Sequence, residues 1–154
     1  MKKIVQLLLT LAILLCCAAP LAFAGETKED IIKAVNQAVA IIEQEGEAGL
    51  GKVGEIRFGD GNYVFVNNLD GTTLMHIKQH LIGKNMVAMG LKDDKGKNFF
   101  MEFTKVAKSP EGEGWVDYRW TKPDDPKTFY DKTTYIKKTK MGDKDVYVGA
   151  GMYL

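Results

Sequence analysis

Hydrophobic positions change their spacing along this chain, and each change announces a different kind of element. After Lys2 and Lys3, an apolar run from Ile4 to Leu15 is interrupted only by Gln6 and Thr10 and leads to Ala22-Phe23-Ala24. From Ile31 the apolar residues recur at helical spacing, as Ile31, Ile32, Val35, Ala38, Val39 and Ile42, so a helix is predicted over 28–45. Thr27 and Asp30 stand at capping-box spacing before it, Gly46 stops or bends it, and a short helical piece is expected near 47–52. At Tyr63 the period drops to two: Tyr63, Phe65 and Asn67 fall on one face, and Val64, Val66 and Asn68 on the other. Asp70-Gly71 then separates this run from Thr73 to Ile77, which reads as a hairpin with positive backbone angles at its turn.

The stretch 80–97 is rich in Gly, Lys and Asp and reads as loop with a helical turn around 85–88. An amphipathic helix follows over 98–108, its stripe formed by Phe99, Phe103, Val106 and Ala107. Three strand-like runs close the chain at 115–121, 129–139 and 145–153, separated by Pro123-Asp124-Asp125-Pro126 and by Met141-Gly142-Asp143. Two strands, helical material and three strands with short links make an α+β domain, an antiparallel sheet carrying helices.

The first segment is read as a secretory signal cleaved after Ala24, giving a signal peptide at 1–24 and one domain at 25–154. An uncleaved anchor would need about 20 apolar residues. Cys16 and Cys17, the two cysteines of the 154-residue chain, both fall in that leader. Neither suits lipidation, because Leu15 precedes Cys16 and another cysteine precedes Cys17, so the mature chain is expected to lack disulfides and thiolate metal sites. The whole chain carries 21 basic and 20 acidic side chains, interspersed, which gives no footprint for nucleic acid.

Several segments, taken in order, resemble the single Cache domain family, the PAS-like extracellular sensor modules of bacteria. They are Tyr63-Val64-Phe65-Val66 with Asn68-Leu69-Asp70-Gly71-Thr72, then His76, then Gly83-Lys84-Asn85, then Gly114 to Trp120 with Lys122-Pro123, Lys132 and Tyr135, and finally Val148 to Tyr153. The resemblance implies a long N-terminal helix packed on a five- to six-stranded antiparallel sheet, with a small-ligand pocket between the sheet and the segment after the first hairpin. It also implies a short organic acid as ligand, such as acetate, propionate, pyruvate or lactate. Matched to the family motifs, the pocket residues are expected to be Tyr63, Phe65, His76, Tyr118, Trp120, Lys132 and Tyr135, with Arg57 as a further cation. Trp115 alternates away from Trp120, and Arg119 away from Tyr118, so both are expected to face elsewhere. Two departures stand out: Ile77 follows His76 where the family usually has proline, and Val146 follows Asp145 where a tryptophan is common.

Enzymatic readings find little support. The chain has no Gly-x-Ser-x-Gly elbow and no phosphate loop, and Ser109, beside Pro110, is the only serine. His76 and His80 share an i, i+4 spacing, but His76 ends a strand and no third ligand is in view, so neither metal nor cofactor is expected. Asp93-Asp94 and Asp124-Asp125 read as solvated loops. Since nothing follows Leu154, neither a second membrane helix nor an output domain is expected, and none of the mature chain spans a membrane. The sequence therefore points to a periplasmic or secreted binding protein that serves a separate membrane receptor or transporter. The alternative is an envelope interaction or structural protein whose pocket does not function.

Overall fold

Residues 27–154 are described in a computed structural model; the leader read at 1–24 and its cleavage site lie outside them. The first helix, α1 (Lys28–Glu45), begins where the capping box places it. The Thr27 hydroxyl accepts from the Asp30 backbone N–H at 3.3 Å, and the Asp30 carboxylate accepts from the Thr27 N–H at 3.0 Å. Gly46, at φ 59°, ends it, and a 3-10 turn at Gly46–Gly49 leads into the short α2 (Leu50–Glu55). The buried stripe of α1 is Ile31, Ala34, Val35, Ala38, Val39 and Ile42, the side that lies on the sheet.

Six antiparallel strands form that sheet. They are β1 (Arg57–Phe58), β2 (Asn62–Asn68), β3 (Thr73–Met75), β4 (Glu113–Thr121), β5 (Phe129–Met141) and β6 (Lys144–Tyr153), arranged β1-β2-β6-β5-β4 with β3 also paired to β2. The predicted strands are all present, and the structure adds the two-residue β1 and a 3-10 turn at Gln79–Leu81.

At the hairpin only Gly71 takes a positive φ, 93°. Asp70 instead caps the turn by accepting from the Thr72 N–H at 2.8 Å, so the expectation of positive angles holds for the glycine alone. The following segment is laced to this turn. Asn85 Nδ2 donates to the Asp70 carbonyl at 3.0 Å, and the Met86 N–H donates to the Gly71 carbonyl at 2.9 Å.

Because neighbouring strand residues point to opposite faces, the sheet divides the core in two. Val64, Val66, Tyr135, Val146, Val148 and Ala150 meet α1 on one side. Tyr63, Phe65, Val116, Tyr118, Trp120, Ile136 and Tyr147 meet α3 (Phe99–Lys108) on the other. Asn98 caps α3 by accepting from the Met101 N–H at 3.2 Å.

The loop that delivers the chain to α3 crosses the free edge of β4. There Asp93, expected in solvent, is buried, and its carboxylate accepts from the N–H groups of Lys95, Lys97 and Arg119. It satisfies an edge N–H that would otherwise be open to another strand.

Candidate functional site

Between the sheet and α3 lies a cavity lined entirely by rings: Tyr63, Phe65, His76, Phe99, Phe100, Phe103, Tyr118 and Trp120. Its volume is about 10 Å³, roughly the space of one water. The α3 phenylalanines close it. The Phe99 ring stacks on Tyr118 with centroids 4.4 Å apart, and Phe103 reaches both Phe65 at 5.6 Å and Tyr118 at 5.2 Å. The floor owes its depth to glycine: a Cβ on Gly149 would stand 2.2 Å from the Phe65 ring, so only glycine lets that ring lie across β6.

One end of this aromatic chamber is polar. Lys132, 2% exposed, directs its ammonium at the Tyr63 hydroxyl, 3.4 Å away, and over the faces of Tyr63 and Tyr153, each centroid 4.4 Å off. Burial pushes the Tyr63 phenol well above its ordinary pKa, with the neighbouring Tyr118 and Tyr153 adding to it. Trp120 and Tyr153 also bear on the Tyr63 phenol, Trp120 lowering its pKa and Tyr153 raising it. The Tyr153 hydroxyl donates in turn to the Thr121 carbonyl at 3.1 Å. Tyr118 donates or accepts with Thr134 Oγ1 at 3.0 Å. No carboxylate lines the cavity.

His76 completes the wall, its ring 5.1 Å from that of Tyr63 in an edge-on arrangement. Its Nδ1 accepts from the Lys78 backbone N–H at 2.9 Å, which leaves the proton of the neutral imidazole on Nε2. Burial, reinforced by the charges of Lys132, Lys78 and His80, lowers its pKa to about 3. The unfolded chain takes up this proton near the ordinary value of 6.5, whereas the folded imidazole stays neutral down to about 3. The contribution is therefore complete above pH 6.5 and lost as pH falls below it. By pH 5 the expected loss is about 2 kcal/mol. Urea unfolding at pH 7.5 and pH 5 should show this drop in the wild type and a flatter response in His76→Gln.

Of the residues expected from sequence, Tyr63, Phe65, His76, Tyr118 and Trp120 line the cavity and Lys132 lies at its polar end. Tyr135 does not join them. It lies three residues from Lys132 on one strand, so the pleat turns it to the α1 side, where its ring meets Trp115 at 5.1 Å. Arg57 is also elsewhere: it caps α2, donating to the carbonyls of Gly54 and Ile56 at 2.7 Å each. Arg119 faces away from the cavity, pairing with Asp94 and Asp131.

Sequence reasoning missed Tyr153 and the inward role of Phe99, Phe100 and Phe103. Tyr153 is brought opposite Lys132 only by the β5–β6 register. Phe99 and Phe103 carried the signal of an ordinary packing stripe.

Two solved structures that superpose on this chain are sensor domains. A Cache chemosensory domain whose structure explains carboxylic acid recognition superposes with a TM-score of 0.70 at 25% identity, over 84% of this chain and 99% of that one. The periplasmic sensor domain of a chemotaxis protein gives 0.68 at 26% identity, over 82% of this chain and 96% of that one. The methyl-accepting chemotaxis protein of Vibrio parahaemolyticus RIMD 2210633 gives 0.66 at 21% identity, over 82% and 87%, a likeness of fold. The family model for the Cache domain matches residues 50–154. With that match spanning the chain from α2 to its last residue, on a helix-backed sheet of the same architecture, this protein belongs to the Cache domain family, whose members are ligand-binding sensor domains.

Proposed function

We propose that this domain captures a short monocarboxylic acid in the periplasm and reports its presence to a membrane receptor or transporter. The observation that carries the reading is the polar end of the chamber. Lys132, the one buried lysine or arginine among the described residues, is set beside the Tyr63 hydroxyl, with Trp120 and Tyr153 gathered on the same hydroxyl. A buried ammonium beside a phenol hydroxyl and under aromatic rings that exclude water suits a carboxylate, because charge-assisted bonds strengthen as they are desolvated. The aromatic remainder suits a short carbon chain. The carboxylic acid recognised by a similar Cache domain supports the same class of ligand. The chemotaxis proteins that carry similar domains support a signalling partner.

A second reading has one observation in its favour. A chamber of about 10 Å³ is already filled by its own side chains, as expected of an envelope interaction module whose pocket no longer works. Thermal unfolding with a panel of two- to four-carbon acids separates the two, since any ligand that binds only the native state raises the midpoint by mass action. The expected result is a saturable rise with at least one of acetate, propionate, lactate or pyruvate. A flat response across the panel overturns the ligand reading in favour of the interaction module.

A further inference from the structure

The chamber has two walls that no backbone hydrogen bond joins directly: His76 at the exit of β3, and Trp120 near the end of β4. One side chain spans them. Lys78 leaves the chain two residues after His76, and its Nζ donates to Thr121 Oγ1 at 2.5 Å and to the Thr121 carbonyl at 3.2 Å, contacts between residues 43 apart in sequence. The same ammonium lies 4.8 Å from the Trp120 ring centroid. Meanwhile the Lys78 backbone N–H holds His76 Nδ1. One residue thus fixes the tautomer of one wall and the plane of the other. The Thr121 carbonyl it reaches is also the acceptor of Tyr153, which links the bridge to the hydroxyl network around Lys132.

We propose that Lys78 is a positioning residue that latches the chamber, its ammonium drawing the segment after β3 onto Trp120 and Thr121, so that a carboxylate enters and leaves when this bridge opens. The inference rests on the carboxylate reading of the site. It follows from the closed chamber: a ligand of several heavy atoms needs an opening, and the bridge is made of contacts that break cheaply. A half-buried ammonium, a hydroxyl and a carbonyl all regain water when they part, whereas moving α3 would expose Phe99 and Phe103. Lanes of access through flexible surface segments are the usual way a closed site exchanges its occupant.

A latch that holds the empty and the occupied chamber alike changes both rates and leaves the equilibrium nearly alone. A merely structural defect speeds dissociation and weakens binding without hastening association. The test is stopped-flow tryptophan fluorescence with propionate, in a Trp115→Phe background so that Trp120 alone reports, on the wild type, Lys78→Met and Lys78→Arg. Methionine keeps the stem against the indole and removes the cation. The expected result is association and dissociation each about tenfold faster in Lys78→Met, a dissociation constant within threefold of the wild type, and slower rates restored in Lys78→Arg. Thr121→Val, which removes one acceptor, should raise both rates by a smaller factor. An association rate within twofold of the wild type in Lys78→Met overturns the latch while leaving the carboxylate site standing. A wild type that responds to none of the two- to four-carbon acids overturns both together.

Discussion

Lys132→Met is expected to weaken the proposed carboxylate binding by about one to two orders of magnitude while leaving the fold in place. The Lys132 ammonium is the positive charge at the polar end of the chamber, and the Tyr63, Trp120 and Tyr153 side chains near it are neutral. A hydrogen bond to a charged group contributes about 1.5–3 kcal/mol, so its loss should weaken binding by roughly 10- to 100-fold. Methionine matches the lysine stem in length and requires no polar partner, so the ligand-free midpoint should hold or rise. Calorimetric titration with the acid that stabilises the wild type most checks the first statement, and thermal unfolding without ligand checks the second. Retained affinity would move the anion site away from Lys132, and a collapsed midpoint would show that the ammonium is needed by the fold itself.

Gly151→Ala should be the most damaging single methyl group in the sheet. A Cβ there would stand 2.2 Å from Thr134 Oγ1 and 2.3 Å from the Thr133 carbonyl, and the second of these is backbone held in the β5–β6 ladder. No rotamer change relieves a clash with a carbonyl. Overpacking of this kind costs about 1–3 kcal/mol, and with backbone as the obstacle the upper end is expected. For a domain of this size that lowers the thermal midpoint by roughly 10 °C. At Gly149, by contrast, the obstacle is the far end of the Phe65 ring, which can swing into the chamber. A midpoint for Gly151→Ala within about 2 °C of the wild type would show that the two strands part more readily than this register implies.

Much of the fold was legible because the chain is locally consistent. The Thr27–Asp30 box, the stripe from Ile31 to Ile42 and Gly46 specify α1 without help from the rest of the molecule. Alternation from Tyr63 to Asn68 likewise assigned each residue its face, and both core clusters follow that assignment. The candidate site was legible where parity decides and illegible where register decides. Tyr118 and Trp120 could be placed together by counting along one strand. That Lys132 meets Tyr63 depends on β6 lying between them, and no count along either strand reveals the intervening strand. The inclusion of Tyr135 shows the opposite error: a motif carried it into the site, though its odd spacing from Lys132 already opposed this. Asp93 was read as solvated because its use as an edge cap is a tertiary event, set by where the loop crosses β4.

The strand β5 turns Lys132, Thr134 and Ile136 toward the chamber and Tyr135 toward α1, and the two sets alternate without a break. Such a strand can change its residues one at a time, but it cannot change their number by one. A single insertion or deletion near Thr133 would exchange the two sides for everything beyond it, turning the Tyr135 ring into the chamber and Thr134 and Ile136 onto α1, out of step with Lys132. Insertions in this family member are therefore tolerable in the turns that flank β5, at 122–128 and around Gly142, and the proposed site is inherited together with the length of one strand.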